Sequence, residues 1–164
     1  MDFIVQKATE LGVARIIPVL SQRSVVRLDA TQAESKAAHW RAVSINACEQ
    51  CGRNRLPVLE APVPLLKFLG AAAEDRCAAA RWLLEPDLTA TAAPSPVEGA
   101  AEIAIGPEGG FADEELEAFK IAGFTGVRLG PRVLRTETAA IAALTWLQTR
   151  FGDMQPGAPA GRAP

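Results

Sequence analysis

The chain has 164 residues, of which 49% are hydrophobic and 22% charged, and its 17 basic and 19 acidic side chains give a net charge of −2. These values are typical of one globular domain. They exclude a helical membrane protein, because no apolar run approaches the roughly 18 residues of a span, and they lack the basic excess usual for phosphate binding. Because Asp2, Lys7 and Glu10 interrupt the N-terminal segment, we expect no signal peptide and a cytoplasmic location.

The first third of the chain is predicted to hold two helices and a strand. Apolar residues recur at helical spacing over residues 3–11, and Gly12 is placed to end that helix. A buried strand is predicted over Val13 to Leu20. A longer helical pattern covers residues 31–52, and we expect Thr31 to open it.

The middle of the chain predicts a short extended piece around Val58 and a helix over Leu65 to Ala73. A strand over Arg81 to Leu84 follows. Residues 87–100 are rich in Ala, Pro, Thr and Ser, which predicts a surface connection.

The last third alternates strands and helices. We predict strands over Glu102 to Ile105 and Val127 to Leu129, with a helix over Asp113 to Ala122 between them. Thr136 is expected to cap a final helix. Residues 152–164 are rich in Pro, Gly and Ala, which predicts a disordered tail.

Apolar strands that alternate with helices predict an α/β fold with a mostly parallel sheet flanked by helices. In such sheets the ligand crevice lies beyond the carboxyl ends of the strands. Three unusual segments follow predicted strands, at Leu84 to Pro86, Gly106 to Gly110 and Gly130 to Arg135. We therefore expect a ligand site at this edge of the sheet.

The glycines of the Gly106 to Gly110 segment would let a ligand approach the backbone closely. The segment matches neither the Walker nor the dinucleotide-binding motif, and Glu108 would repel a phosphate. A neutral or cationic ligand fits better, and a tight turn without a ligand is the alternative.

The cysteines are Cys48, Cys51 and Cys77. Cys48 and Cys51 form a C-x-x-C pair, but a structural zinc needs four ligands and only Cys77 and His39 could complete the set. The pair also falls within a predicted helix, where cysteines at this spacing often only pack. We expect no metal site.

Two motifs resemble the paired signature of the SPOUT methyltransferases, IGPEGGF at Ile105 to Phe111 and LGPRVLRTETA at Leu129 to Ala139. More specifically, the chain resembles the small-subunit (16S) rRNA methyltransferase E family, which makes 3-methyluridine with S-adenosylmethionine. Three earlier segments agree with that family: QKATELGV at Gln6 to Val13, SQRS at Ser21 to Ser24, and EQCGR at Glu49 to Arg53.

This resemblance implies a SPOUT domain over residues 1–151, with a deep trefoil knot in its C-terminal part, that works as a homodimer on the small ribosomal subunit. It places S-adenosylmethionine bent in the knot, where three loops hold the adenine. The cofactor-binding residues it implies are Leu84, Glu85, Gly106, Pro107, Glu108, Gly109, Leu129, Gly130, Leu134 and Arg135.

The implied reaction is an in-line displacement at the methyl group, so much of the catalysis can be positioning. The N3 proton of uridine must leave before or during attack. We assign to Arg135 or Arg23 the stabilisation of charge on O2 or O4. Glu108 or Glu137 would accept the proton if burial prepares the carboxylate for it. Alternatively, both glutamates hold the loops by accepting backbone hydrogen bonds.

A polar stripe at helical spacing, Asn46, Glu49, Gln50 and Arg53, overlaps the EQCGR motif. We expect Gln50 and Arg53, together with Arg23, to contact RNA. A solvated or dimer-facing surface is the alternative.

The chain departs from the family in beginning at the QKATELGV helix, where members carry a preceding PUA-type barrel that would be expected to supply RNA affinity. Two other functions therefore stay open. One is a SPOUT ribose 2′-O-methyltransferase, which Pro107 to Gly109 and Leu134 to Glu137 fit less well. The other is a dimeric domain that binds S-adenosylmethionine and does not modify RNA without the barrel.

Overall fold

A computed structural model of the chain describes residues 1–24, 28–74, 80–85, 100–155 and 157. Several features predicted above lie outside the described residues: Cys77, Pro86, the connection over 87–99, and residues 156 and 158–164 of the tail. The chain forms two compact units. The first consists of Met1–Pro18, Leu28–Pro62 and Ala140–Pro164, and the second of Val19–Arg27 and Val63–Ala139.

The first unit is built on helices α1 (Asp2–Glu10) and α2 (Ala30–Cys51), which pack against each other. Thr9 is fully buried between them, and its hydroxyl donates to the carbonyl oxygen of Val5 at 2.8 Å and to the hydroxyl of Ser44 at 3.3 Å. Gly12 follows α1 with a left-handed φ of 82°, which confirms that it ends the helix.

The prediction that Thr31 opens α2 is wrong, because Asp29 caps the helix two residues earlier. The Asp29 carboxylate accepts a hydrogen bond from the backbone amide of Gln32 at 2.8 Å. The side-chain oxygen of Gln32 in turn accepts one from the backbone amide of Asp29 at 3.1 Å. This reciprocal pair is a capping box, which satisfies two backbone donors that the helix itself cannot. The predicted end at Gly52 is confirmed by its left-handed φ of 78°.

Two short strands, β1 (Arg15–Ile16) and β2 (Val19–Leu20), replace the predicted single strand over Val13 to Leu20. Two more follow α2: β3 (Val58–Leu59), which confirms the extended piece predicted around Val58, and β4 (Val63–Pro64). Strand β1 pairs in parallel with β3, and β2 pairs in parallel with β4. Pro18 lies between β1 and β2 and has no N–H to donate, so a continuous ladder is interrupted there. The prediction of one strand is therefore wrong.

The remaining elements are α3 (Leu65–Glu74), β5 (Ala80–Leu84), β6 (Ala101–Ile105), α4 (Asp113–Ile121), β7 (Thr125–Val127) and α5 (Thr136–Phe151). Strands β5, β6 and β7 form a parallel sheet in the order β6-β5-β7. This confirms an α/β fold with parallel sheets flanked by helices. Strand β7 ends two residues before the predicted Leu129, because it pairs only with Trp82 to Leu84 and β5 ends there.

The core of the second unit is centred on Phe119, which is 1% exposed. Its ring makes edge-to-face contacts with Phe111, at 4.8 Å between ring centroids, and with Phe124, at 5.1 Å. Phe111 ends the glycine-rich segment after β6, and Phe124 precedes β7. The aromatic cluster therefore packs α4 against both the loop that leaves β6 and the turn that enters β7.

Arg81 on β5 ties the sheet to both helices of this unit. Its Nε donates to the Glu102 carboxylate on β6 at 2.9 Å. Its Nη1 donates to the carbonyl oxygens of Ala72, at 2.7 Å, and Ala122, at 3.0 Å. These carbonyls lie at the ends of α3 and α4, where a cation complements the helix dipole. Within the ranges described, no helix combines the length and apolar character needed to cross a bilayer.

Candidate active site

The three segments predicted to form a ligand site leave the sheet at the same edge. In the register of the sheet, Leu84 of β5 lies opposite Ile105 of β6 on one side and Val127 of β7 on the other. Each is the last residue of its strand. The prediction that these segments lie together is confirmed, since Glu85, Gly106 and the segment from Arg128 onwards all start at this edge.

Gly106 is required by close packing. A Cβ atom on it would lie 2.9 Å from Cε2 of Phe111, whose ring is buried. The carbonyl oxygen of Gly106 accepts a hydrogen bond from the Thr136 hydroxyl at 2.9 Å. The prediction that this hydroxyl caps the last helix is therefore wrong, because Thr136 is already helical and its side chain holds the glycine-rich segment.

Residues 107–110 form a tight turn, in which the Gly110 amide donates to the Pro107 carbonyl oxygen at 2.9 Å. Gly110 adopts a left-handed φ of 65°. Glu108 and Gly109 are exposed at the tip of the turn. The Glu108 carboxylate makes no hydrogen bond or ion pair with any described residue, and the same holds for half-buried Glu137. Glu108 is thus not buried within this chain, and neither glutamate holds a loop by hydrogen bonds to the described backbone.

The segment after β7 is shaped by Arg128. Its Nε donates to the carbonyl oxygen of Gly130 at 3.1 Å, and its Nη2 donates to that of Pro131 at 3.2 Å. Gly130 has a left-handed φ of 75°. Leu129 and Leu134 are half-buried, whereas Arg135 is exposed and its guanidinium contacts no described polar group. The donors of Arg135 are therefore available to a ligand.

The SQRS segment, Ser21 to Ser24, lies against the glycine-rich turn. Arg23 donates from Nη1 to the Gly109 carbonyl oxygen at 3.2 Å. A Cβ atom on Gly109 would lie 3.4 Å from Cβ of Arg23. The hydroxyls of Ser21 and Ser24 are 2.7 Å apart and close the segment on itself. Arg23 is thus brought together with the predicted cofactor loop, 86 residues away in sequence.

Glu115 is a residue that the sequence did not single out beyond the acidic first turn of α4. It is 3% exposed. Its two carboxylate oxygens accept hydrogen bonds from the backbone amides of Gln22, at 2.7 Å, and Ala112, at 2.9 Å. The bond to Ala112 is half of a capping box, because the alanine side chain offers no acceptor in return. In the sequence, the position of Glu115 three residues after Ala112 was the signal that could have indicated this capping bond.

The other predicted RNA-contacting residues belong to the first unit. Gln50 is exposed on α2. Arg53 lies beyond the end of α2, so helical spacing does not apply to it and it is not part of a helical stripe. Its Nη1 donates to the carbonyl oxygens of Thr9, at 2.7 Å, and Val13, at 3.1 Å. Arg53 therefore holds the end of α1 in place.

Two ionisable groups of the first unit have a shifted pKa. Hydrogen bonds from His39 Nε2, at 2.8 Å, and Trp40 Nε1, at 2.9 Å, lower the pKa of Asp2. Burial raises the pKa of the Cys48 thiol. Cys48 and Cys51 are both free. In the part of the chain that the structure covers, no three His, Cys, Asp or Glu side chains are grouped as metal ligands.

The sequence profile of the RNA methyltransferase domain family matches residues 1–148. The chain belongs to this family. The resemblance predicted from the glycine-rich and LGPRVLRTETA motifs is confirmed by curated relatives named Ribosomal RNA small subunit methyltransferase E. The one from Buchnera aphidicola (subsp. Schizaphis graminum) is 37% identical over 155 residues, which are 94% of this chain and 62% of the relative. The one from Bacillus subtilis is 34% identical over 151 residues, 88% of this chain and 59% of the relative.

Solved structures of the family share this fold. A putative methyltransferase from Legionella pneumophila, in complex with bound S-adenosylmethionine, superposes with a TM-score of 0.83 at 43% identity, over 94% of this chain and 62% of that one. The Ribosomal RNA small subunit methyltransferase E from Neisseria gonorrhoeae, bound to S-adenosylmethionine, gives a TM-score of 0.78 at 36% identity, with the same two coverages. The chain thus spans about three fifths of the length of these relatives.

Proposed function

We propose that this chain is the catalytic domain of an S-adenosylmethionine-dependent rRNA methyltransferase that methylates N3 of a uridine in 16S rRNA of the small ribosomal subunit. The observation that carries the proposal is the alignment of three strand ends at one sheet edge, with Leu84 opposite both Ile105 and Val127. Two structures of the family, from Legionella and Neisseria, contain bound S-adenosylmethionine.

The residues at this edge fit an adenosyl ligand. The glycine-rich turn presents backbone groups with few side chains over them, and a Cβ atom on Gly110 or Gly130 would meet no other atom within 4 Å. The absence of a cationic P-loop agrees with a ligand that carries no phosphate. We assign the adenosyl group to the three segments Leu84–Glu85, Gly106–Gly109 and Leu129–Arg135.

S-adenosylmethionine, when bound, supplies a methyl group on a positively charged sulfur. In the transfer, N3 of the uridine forms a bond to this methyl group, the carbon–sulfur bond breaks and the N3 proton goes to a base. Arg135 has its guanidinium exposed and without a described partner, so its donors can stabilise negative charge on O2 or O4 of the base. Arg23, fixed against Gly109, supplies a second cation.

The base remains assigned to Glu108 or Glu137. Since Glu108 is exposed in the single chain, this role requires that bound RNA or a second subunit excludes water from it. We further propose the trefoil knot, the homodimer, the domain over residues 1–151 and the cytoplasmic location that the resemblance implies. The bond between Thr136 and Gly106 holds the start of α5 against the loop after β6.

A second candidate function is a domain that binds S-adenosylmethionine but does not modify RNA by itself. It is favoured by the coverage of the relatives, since the chain spans only 62% of the Buchnera methyltransferase. Residues outside that span would then supply the affinity for RNA.

The experiment that tests these proposals begins with calorimetric titration of the 164-residue chain with S-adenosylmethionine. Small ribosomal subunits that lack the modification are then incubated with chain and cofactor, and their nucleosides are analysed by mass spectrometry. Binding followed by 3-methyluridine supports the proposed function. Binding without methylation selects the second candidate, a 2′-O-methylated nucleoside selects the ribose enzyme, and a folded chain that does not bind contradicts the cofactor site.

A further inference from the structure

Two contacts attach the SQRS segment to the glycine-rich segment within the second unit. One is the exposed bond from the Arg23 guanidinium to the Gly109 carbonyl oxygen at 3.2 Å. The other is made by the buried Glu115 carboxylate in α4, which accepts a hydrogen bond from the backbone amide of Gln22 at 2.7 Å. The amide that Glu115 holds therefore belongs to the residue immediately before Arg23.

The same carboxylate also holds the end of the glycine-rich segment, because its second oxygen accepts the Ala112 amide at 2.9 Å. Ala112 directly follows Phe111, whose ring is packed against Gly106 and Phe119. One buried side chain thus joins the segment at Gln22 to the segment at Ala112. In the sequence, Glu115 lies 93 residues from Gln22. Neither segment can move past the other while both bonds are intact.

We infer that Glu115 is a positioning residue that couples occupancy of the cofactor loop to the placement of Arg23 for RNA. This inference rests on the proposed function, since it assumes that S-adenosylmethionine binds at Gly106–Gly109. A cofactor that orders the glycine-rich turn orders the SQRS segment through Glu115 and Gly109. By thermodynamic reciprocity, RNA held by Arg23 then favours the bound cofactor.

The substitution Glu115→Gln separates this coupling from the fold. A glutamine at the third position of a helix has one acceptor oxygen, which can keep the capping-box bond from the backbone amide of Ala112. In place of the second oxygen it has an NH2 group, which cannot accept a hydrogen bond from the backbone amide of Gln22. The helix start is therefore kept, and only the link to the SQRS segment is lost. Glu114→Gln is the matched control, since Glu114 is exposed in the same turn and contacts no described polar group.

The measurement is hydrogen exchange of the peptide that contains residues 21–24, with and without S-adenosylmethionine, in the full chain. In the wild type and in Glu114→Gln, we expect the cofactor to slow this exchange by about fivefold or more, the lower end of typical coupling. In Glu115→Gln the slowing is lost, while the dissociation constant for the cofactor stays within about threefold of wild type because the cap is retained. In the same Glu115→Gln variant, we expect the KM for small ribosomal subunits to rise by a larger factor than that by which kcat falls.

Equal cofactor-dependent protection in Glu115→Gln and wild type would overturn the inference while leaving the proposed function intact. A wild type that binds the cofactor without any protection of residues 21–24 would do the same. If the wild type does not bind the cofactor, the proposed function fails first. Should Glu115→Gln not fold, Arg23→Ala removes only the exposed link and leaves the bond between Glu115 and Gln22. Retained protection in that variant is expected if Glu115 carries the coupling, and complete loss of protection would contradict the role of Glu115.

Discussion

The hydroxyl of Thr136 donates a hydrogen bond of 2.9 Å to the carbonyl oxygen of Gly106. Thr136 is the first residue of α5, and Gly106 is the first residue after β6. The bond joins a helix start to the loop in which we propose that the cofactor lies. The threonine that begins the sequence TETA thus holds this loop in place from the start of the helix.

The substitution Thr136→Val removes this donor and keeps the branched shape of the side chain. We expect the free energy of unfolding to fall by about 1 kcal/mol, the usual contribution of one such bond. The dissociation constant for S-adenosylmethionine should rise by ~3- to 10-fold, because the glycine-rich loop loses one attachment. Denaturant titration and calorimetry measure both. Thr138→Val is the control, since Thr138 is exposed two residues later in the same turn and its hydroxyl bonds to no described group. Identical affinities of the two variants would contradict a role for the bond.

Gly106 itself offers a test of packing at the sheet edge. Alanine there would place its Cβ atom 2.9 Å from the buried ring of Phe111. We expect Gly106→Ala to destabilise the fold by ~1–3 kcal/mol, as overpacking does, and to weaken cofactor binding. Gly70→Ala in α3 is the matched substitution, because a Cβ atom there meets no atom within 4 Å. It should stabilise the helix by about 0.5–1 kcal/mol. If both variants unfold at the same denaturant concentration, the contact with Phe111 does not restrict this position.

The sheet edge could be predicted from the sequence because each of its strands is a short apolar run that a distinctive loop motif ends. The local signals were less decisive elsewhere. Asp29 and Gln32 form the capping box of α2, yet Thr31 and Glu34 have the same spacing and also suit a capping box. Two possible capping boxes therefore overlap in the sequence, and spacing alone does not select between them. The interruption at Pro18 was visible in the sequence, since proline cannot donate to a ladder.

The contacts that connect distant segments could not be predicted. In the sequence, Glu115 is one of three acidic residues that complement a helix dipole. Nothing local indicates that its carboxylate accepts a hydrogen bond from the backbone amide of Gln22, which lies 93 residues away. Arg53 falls at helical spacing with Gln50, but Gly52 turns the chain before it. Its guanidinium then reaches the backbone of Thr9 and Val13. Helical periodicity predicts which face a side chain shares only for residues within the same helix, and Arg53 lies beyond the end of α2.

Arg135 gives the sharpest test of the proposed chemistry. Because its side chain is exposed and contacts no described polar group, Arg135→Ala should leave the free energy of unfolding within about 0.5 kcal/mol of wild type. Loss of a cation that stabilises developing charge should lower the rate of methyl transfer on the order of 10²-fold. The rate is measured at saturating S-adenosylmethionine with small ribosomal subunits. Arg41→Ala on the exposed face of α2 is the control and should retain full activity. A fully active Arg135→Ala would remove this residue from the mechanism.

The two cysteines of the C-x-x-C pair are predicted to differ in reactivity. Cys48 is 7% exposed, whereas Cys51 is exposed on the surface of α2. Burial raises the pKa of the Cys48 thiol, so a smaller fraction of it is the reactive thiolate at a given pH. Because its pKa in the folded state is raised, the thiol contributes stability at pH values below its ordinary value, about 8.5, and this contribution is lost as the pH rises through the raised value.

Two variants separate the thiols in a background that carries Cys77→Ser: Cys51→Ser leaves only Cys48, and Cys48→Ala leaves only Cys51. We expect a disulfide reagent to label Cys51 at least about tenfold faster than Cys48 at pH 8, as exposure and thiolate fraction both predict. The labelling rate of Cys48 should keep rising as the pH passes the ordinary pKa of a thiol, because burial raises the pKa of this group. Equal rates with the same pH dependence would show that the burial of Cys48 does not protect its thiol. A redox pair would require the opposite, a Cys whose pKa is lowered, and so a slow Cys48 also argues for a packing role of this motif.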